Sequence, residues 1–250
     1  MAVVGGGQSG AEAFLELISR SPQELPRRVT WISRRENFFP LDDSPFTNDY
    51  YTPSFSDYFF HLERSAREHF NQRHLLTSDG ISESTLREIY QRAYIRRFVE
   101  GAPDFFALYP NRELTEVSDA NEPTITVTHS DFPDTVEHIE TDVIIWATGF
   151  RSARTDFLAP IAHRMEREGN EYKVDESFAV LWDGPAGKNI FTQNAARQQR
   201  GLADPNLSLL AWRAQRIVDR IIGVRTEKET PSFIEWSAKA SPELSESSAK

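Results

Sequence analysis

Ala2-Val-Val-Gly-Gly-Gly-Gln-Ser-Gly-Ala-Glu12 decides the fold of this chain, because it joins a short apolar strand to a helix through G-x-G-x-x-G at Gly5, Gly7 and Gly10. In that pattern the first glycine makes the tight turn, the second lets backbone approach a pyrophosphate, and the third allows close helix-on-strand packing. Ala11, Phe14, Leu15, Leu17 and Ile18 then recur at helical spacing as far as Arg20. The amides near Gln8 and Ser9 therefore open a helix N-terminus, where unpaired N–H groups and the positive end of the dipole favour phosphate. An ordinary glycine-rich turn is the competing reading of the same residues.

The next strand narrows the choice. Arg28-Val-Thr-Trp-Ile-Ser-Arg-Arg35 is β-branched and aromatic and follows the glycines at about twenty residues. An NAD-type site carries Asp or Glu at this point, whereas this strand ends in Ser33, Arg34 and Arg35. Guanidinium groups clamp a 2′-phosphate through charge-assisted hydrogen bonds that a carboxylate would repel, so the expected cofactor is NADPH. The alternative is a solvated arginine pair at a strand end.

With 250 residues, 39% of them hydrophobic, the chain can bury one large core or two small ones. It has no apolar run near about 18 residues and no basic stretch leading into a hydrophobic signal segment, so a cytoplasmic protein without membrane contact is expected. Zero cysteines exclude disulfides, thiolate metal sites and cysteine nucleophiles; the six histidines show no H-x-x-x-H or H-E-x-x-H spacing, so no metal site is expected. The formal net charge of -10 disfavours nucleic acid as a partner and tolerates a cationic substrate.

Further along, the aromatic, proline-punctuated stretch from Phe38 to Phe60 is too long for a routine βα connection and suits a functional insertion. Ser82 to Arg97 reads as a helix capped by Ser82, with Leu86, Ile89, Tyr90, Ala93 and Tyr94 on its core face. Phe105 to Tyr109, Thr124 to Thr128 and Val136 to Ile139 read as strands, the last two forming a hairpin around Ser130 to Asp134. Asp142-Val-Ile-Ile-Trp-Ala-Thr-Gly-Phe150 reads as a buried parallel strand that stops at Ala147, Thr148 and Gly149, where backbone meets a ligand closely. Tyr172 to Leu181 and Asn189 to Thr192 read as strands. A helix from Asn206 to Ile222 follows, with Leu209, Leu210, Ile217, Val218, Ile221 and Ile222 as its apolar positions and Gly223 closing it. The tail from Arg225 to Lys250 is charged and serine-rich, and its last ten residues are expected to be disordered.

Taken in order, Gly5 to Glu12, Ser33-Arg-Arg35, Leu41-Asp-Asp-Ser-Pro-Phe-Thr-Asn-Asp-Tyr50, Thr77-Ser-Asp-Gly80, Ala147-Thr-Gly-Phe150 and Leu207-Ser-Leu-Leu-Ala-Trp-Arg213 resemble the flavin-dependent N-hydroxylating monooxygenases of siderophore biosynthesis. The resemblance runs from Val3 to about Gly223 and is nearest to the lysine N-hydroxylase branch. It implies an α/β fold: a three-layer Rossmann-like NADPH-binding domain over 1–149, with an added β-hairpin and the insertion at about 36–80. The C-terminal part of a second, FAD-binding Rossmann-like domain follows over 150–223, and then the tail over 224–250.

It also implies that Gly5, Gly7, Gln8, Ser9 and Gly10 hold the NADPH pyrophosphate and that Arg34 meets the 2′-phosphate; Arg35, from the strand-end reading, and Ala147, Thr148 and Gly149 complete the expected cofactor-binding residues. Asn48 is similar to the family asparagine that touches both substrate and nicotinamide; an Asx turn after Pro45 is the alternative. Ser78 occupies a substrate position, or else is a helix-entry residue. Leu207 and Ser208 resemble positions lining the flavin and the amine, with a capping serine as the alternative for Ser208. Asn48 and Ser208 would position groups during catalysis; the oxygen chemistry belongs to FAD, NADPH and dioxygen. The amine must be presented uncharged although its solution pKa is about 10.4, which burial favours.

Members of the family also carry a first, FAD-binding glycine fingerprint ahead of the segment matched here. The expectation is therefore an N-terminally truncated product, a fragment, or half of a split protein that binds FAD poorly alone and leaves apolar surface between Phe150 and Gly223 without a partner. A homo-oligomer and a complementing N-terminal half both stay open as partners. Three functions remain: an N-hydroxylase of lysine, ornithine or a diamine such as cadaverine or putrescine; an NADPH-binding remnant; and a flavin-free NADPH oxidoreductase.

Overall fold

The computed structural model describes residues 1–118, 124–151, 154–185, 187–226 and 232–236. They form two compact units, one of Met1–Asp42 with Leu75–Arg151, the other of Asp43–His74 with the described residues from 154 onward.

Strands of the first unit are, in chain order, β1 (Ala2–Val4), β2 (Val29–Ile32), β3 (Phe106–Tyr109), β4 (Arg112–Val117), β5 (Thr124–His129), β6 (Val136–Glu140) and β7 (Ile144–Trp146). Four of them make a parallel sheet in the order β3-β2-β1-β7, with Val3 opposite Trp31 on one side and Ile145 on the other. The chain leaves β1 in one direction and returns to its opposite side, so the strand order reverses between β1 and β7, where open α/β sheets bind ligands.

Alternation along β1 and β2 sends side chains to two buried faces. Val3, Val29 and Trp31 face the helix Gln8–Ser19, which buries Ala11, Phe14, Leu17 and Ile18, and Ile89 of the helix Glu83–Tyr94 joins the same cluster. Ala2, Val4 and Ile32 face the other way, onto Ile125 and Val127 of β5. Helices, parallel sheet and the antiparallel sheet β4-β5-β6 are therefore three layers. Trp31 stacks between Phe14 (5.0 Å) and Phe38 (3.7 Å) and donates its indole N–H to the Gly5 carbonyl at 2.8 Å. A buried tryptophan thus satisfies its one polar atom on the glycine turn itself.

Four expectations change here. The expected hairpin is two-thirds of a three-stranded sheet, because β4 pairs with β5 through a bulge between Leu114 and Glu116. β7 is an edge strand rather than a buried one, and Trp146 is 56% exposed. Tyr90 and Tyr94 project to solvent (75% and 53% exposed), while Leu86, Ile89 and Ala93 make the contact. One neighbouring helix covers only a narrow stripe, and the two tyrosines stand outside it. Ser82 precedes the helix without capping it; its hydroxyl pairs with Thr85 Oγ1 at 2.7 Å, and a π turn at Ile95–Val99 ends the segment.

In the second unit, strand pairing among the described residues is antiparallel and short, as in Arg167–Glu168 with Glu171–Tyr172. Most of the insertion belongs to this unit, residues 43–74, instead of staying with the first over 36–80. Its helices Pro53–Phe60 and Arg64–Arg73 are tied to the helix Arg197–Arg200: Ser56 Oγ donates to Arg200 O at 3.1 Å and Asn71 Nδ2 to Arg197 O at 3.2 Å. Tyr172 to Leu181 is not one strand. Asp175 Oδ1 accepts from the amides of Ser177 (2.8 Å) and Ala179 (3.0 Å), reversing the chain so that Val174 bridges Val180, and Ala179 bridges Phe191.

The last helix starts as a 3-10 turn at Leu207–Leu209, continues as Leu210–Ile222 and closes at Gly223 with φ 71°. Leu209, Arg213 and Asp219 are buried, while Leu210, Val218, Ile221 and Ile222 are exposed, in line with the expected unpartnered apolar surface between Phe150 and Gly223. No helix among the described residues is long and apolar enough to cross a membrane. Most of the charged tail, its last ten residues included, lies outside the described residues.

Candidate functional site

The glycine turn runs from the end of β1 over the end of β7. Gly5 has φ 139°, and a Cβ there would collide with the Ala147 carbonyl; a Cβ on Gly10 would collide with the Gly5 carbonyl. Both positions exclude a side chain because backbone passes over backbone. Ala147 N also donates to Val4 O at 2.8 Å, so Ala147 is bound to β1 while Gly149 continues at φ 80°.

The helix Gln8–Ser19 begins at this turn with Gly7 as its N-cap, no capping side chain and no acidic residue in its first turn. Helix starts leave N–H groups unsatisfied, and nothing in this first turn repels an anion. Ser9 is exposed there. The Gln8 side chain is already engaged: its Oε1 accepts from Ser82 N at 2.8 Å, and its Nε2 donates to Glu12 Oε1 at 2.8 Å and Thr85 Oγ1 at 3.3 Å. Gln8 therefore offers an anion its backbone only.

The two arginines part company. Arg34 is exposed beyond β2 and pairs with no described residue. Arg35 Nη1 donates to Gly6 O at 3.1 Å and Asp79 O at 2.7 Å, so this nitrogen is engaged within the fold. Ser33 is buried; its hydroxyl accepts from Arg35 N at 3.1 Å and its backbone pairs with Tyr109 and Arg112.

Ser78 is exposed on the short helix Leu76–Asp79, its hydroxyl donating to Leu75 O (3.2 Å) or Asp79 Oδ1 (3.0 Å). Gly5, Gly7, Gln8, Ser9, Gly10, Arg34, Arg35, Ser78 and Ala147 to Gly149 all lie in the first unit; Asn48, Leu207 and Ser208 lie in the second. Asn48 sits exposed on the 3-10 turn Thr47–Tyr51, where Nδ2 donates to Asp43 O at 3.2 Å. The turn after Pro45 is held by Ser44, whose hydroxyl accepts from Thr47 N at 3.3 Å, so Asn48 is not its acceptor.

Ser208 does not cap its helix. Asn206 does, accepting from Ser208 N at 2.8 Å, which leaves the Ser208 hydroxyl exposed beside Leu207. Sequence reading missed what holds this turn: Asp204 and Arg213 form a fully buried pair at 2.9 Å, Arg213 Nη2 donates to Asn194 Oδ1 at 2.8 Å, and Asp204 Oδ2 accepts from Ala196 N at 2.9 Å. Arg200 is likewise buried, paired with Asp57 at 2.9 Å and enclosed by the rings of Phe60, Phe178 and Trp212. Burial draws its guanidinium below the ordinary range and Asp57 opposes this. A charged residue at a helix position where apolar neighbours predominate was the available signal. No group of residues with metal-ligating character occurs among the described residues.

An open parallel sheet with a glycine turn and helix N-terminus at its reversal point defines a Rossmann-like dinucleotide fold. Residues 1–152 match the family described as L-lysine 6-monooxygenase/L-ornithine 5-monooxygenase, and the chain belongs to that family. It is 36% identical over 237 residues to the L-lysine N6-monooxygenase of Escherichia coli, covering 94% of this chain and 56% of that protein. It is 30% identical over 236 residues to an L-ornithine N(5)-monooxygenase of Ajellomyces capsulatus, covering 88% and 48%. The chain thus spans about half the length of the curated relatives it matches. Its fold is similar to the FAD-bound cadaverine monooxygenase of the desferrioxamine pathway of Erwinia amylovora, with a TM-score of 0.83 at 23% identity, covering 96% of this chain and 55% of that one.

Proposed function

We propose that this chain supplies the NADPH-binding part, and a share of the flavin and amine sites, of an enzyme that N-hydroxylates the side-chain amine of L-lysine for hydroxamate siderophores. The observation that carries the reading is the glycine turn across the β1–β7 reversal, opening an uncapped helix start free of acids, with Arg34 exposed beyond β2 and paired with no described residue. That donor set suits a dinucleotide diphosphate and a 2′-phosphate. In this reading the first-turn amides from Gln8 to Gly10 hold the diphosphate, Arg34 selects NADPH, and Ala147 to Gly149 form the facing wall. Asn48 and Ser78 orient the amine, and Leu207 with Ser208 borders FAD.

Bound NADPH and FAD supply the hydride and the oxygen-activating chemistry with dioxygen. The residues contribute binding, orientation and exclusion of water, and burial keeps the lysine amine uncharged. Lysine is preferred over ornithine, cadaverine or putrescine because of the 36% identity to a lysine enzyme and the Thr77-Ser-Asp-Gly80 run. Reduced nicotinamide and a free amino acid assign the reaction to the cytoplasm.

One observation favours a second reading, a nucleotide-binding module without oxygenase activity: Leu207, at the proposed flavin edge, is 71% exposed, and the apolar stripe beyond it is uncovered. Under that reading, FAD retention needs a complementing polypeptide or a second copy. Absorbance near about 450 nm after purification and after FAD addition, with hydroxylamine assayed from lysine, ornithine and cadaverine, separates the two. A flavin band with lysine turnover supports the enzyme; NADP+ binding with neither supports the module.

A further inference from the structure

We propose that Arg35 is a positioning residue that ties the glycine turn to the segment Asp79–Ser82, so that the dinucleotide loop and the Ser78 helix are one mechanical piece. One guanidinium nitrogen reaches two carbonyls from distant parts of the chain, Gly6 O at 3.1 Å and Asp79 O at 2.7 Å. In a trans peptide the C=O of Gly6 and the N–H of Gly7 point in opposite directions. Holding the Gly6 oxygen toward Arg35 therefore turns the Gly7 amide away from it, which sets the direction in which the turn offers a donor.

Arg35 is itself held: its amide donates to Ser33 Oγ at 3.1 Å and its carbonyl accepts from Asn111 N at 2.6 Å. A second strut runs parallel to the first, from Gln8 Oε1 to Ser82 N at 2.8 Å. On its far side the same segment is fastened by Ile81 N to Phe39 O (3.0 Å) and Leu41 N to Ile81 O (2.7 Å). Asp79–Ser82 is thus gripped at both ends from the glycine turn and along its middle by 39–41. Arg34, one residue earlier, has none of these ties.

This role rests on the dinucleotide reading of the turn, and two measurements keep them apart. Kd values for NADP+ and NAD+ are compared in wild type, Arg35→Ala, Arg35→Lys and Arg34→Ala, and amide hydrogen exchange is followed at residues 5–7, 79–82 and, as reference, 29–32. Arg35→Ala is expected to weaken both nucleotides by the same factor, about tenfold, and to speed exchange at 5–7 and 79–82 together while 29–32 stays protected. Arg35→Lys is expected to fall between with the NADP+/NAD+ ratio preserved, and it decides the matter if the alanine variant does not fold. Loss of NADP+ affinity alone, or unchanged exchange at 79–82, overturns the role. If wild type binds neither nucleotide, the dinucleotide reading fails and the brace stands or falls on the exchange result alone.

Discussion

Arg34 and Arg35 are adjacent in sequence and opposite in surroundings. A side chain with no partner is available to a ligand; one already shared between two carbonyls is structure. Arg34→Ala is therefore expected to weaken NADPH by about tenfold or more with little change for NADH, as charge-assisted phosphate contacts contribute about 1.5–3 kcal/mol. Equal losses for both nucleotides, measured by calorimetric titration, would remove Arg34 from the 2′-phosphate. Asn48 gives a second test at this scale. Its amide nitrogen reaches only a local carbonyl, Asp43 O, and its side chain is exposed. Asn48→Ala is expected to leave the melting temperature within about 1 °C and NADPH affinity unchanged while lowering amine hydroxylation, in whatever assembly is active. A large drop in melting temperature would make the residue structural.

At the scale of elements, the first turn depends on space that only glycine leaves. Gly10→Ala places a methyl group against the Gly5 carbonyl and near Trp31 Nε1, so the helix Gln8–Ser19 must shift from β1. Overpacking of this kind costs about 1–3 kcal/mol, read as a lower urea midpoint, together with weaker nucleotide binding. At the opposite end of the chain, the helix Leu210–Ile222 is finished by Asp219, whose carboxylate accepts from Thr226 N at 2.7 Å and Gln215 Nε2 at 2.7 Å. The Thr226 amide foremost, then Gln215, holds this carboxyl below the usual carboxylate range. A lowered folded pKa adds stability that is complete above the unfolded value near 3.8 and is lost as pH falls through the folded one. Melting temperature is thus expected to decline below about pH 4, with Asp219→Asn flattening part of that slope. Glu171, pushed up by burial, works in the opposite sense over the carboxylate range, so the Asn variant rather than the wild-type curve isolates Asp219.

Elements also show where sequence reading reached and where it stopped. The helices after Gly7 and Ser82, the parallel strands and the Gly223 closure follow from periodicity and local chemistry, and the structure contains them. The facing of Tyr90 and Tyr94 does not follow from periodicity, which locates an apolar stripe without saying what covers it. Within the candidate site, the turn from Gly5 to Gly10 was legible because its tight backbone passage is a local demand that only glycine meets. The side-chain partners of Arg35 and Gln8 and the buried Asp204–Arg213 pair were not, because Asp79, Ser82 and Asn194 are met at separations no local pattern encodes.

For the whole molecule, Leu210, Val218, Ile221 and Ile222 are apolar side chains that the described second unit leaves exposed on its last helix. Ile221→Lys combined with Ile222→Lys is expected to change unfolding free energy by less than about 0.5 kcal/mol, since both side chains are 62% exposed. A loss above about 2 kcal/mol in urea unfolding would show that the chain buries them itself. By itself the sequence determined the glycine turn, its strand and helix, and the family, because these are short-range requirements written in residues close together. Only the tertiary structure decided that residues 43–74 cluster with the second unit, that a third strand completes the outer sheet, and that Arg35 reaches two backbone carbonyls while Arg34 pairs with no described residue. Those outcomes turn on which surfaces meet, and contact between distant residues is a property of the packed chain.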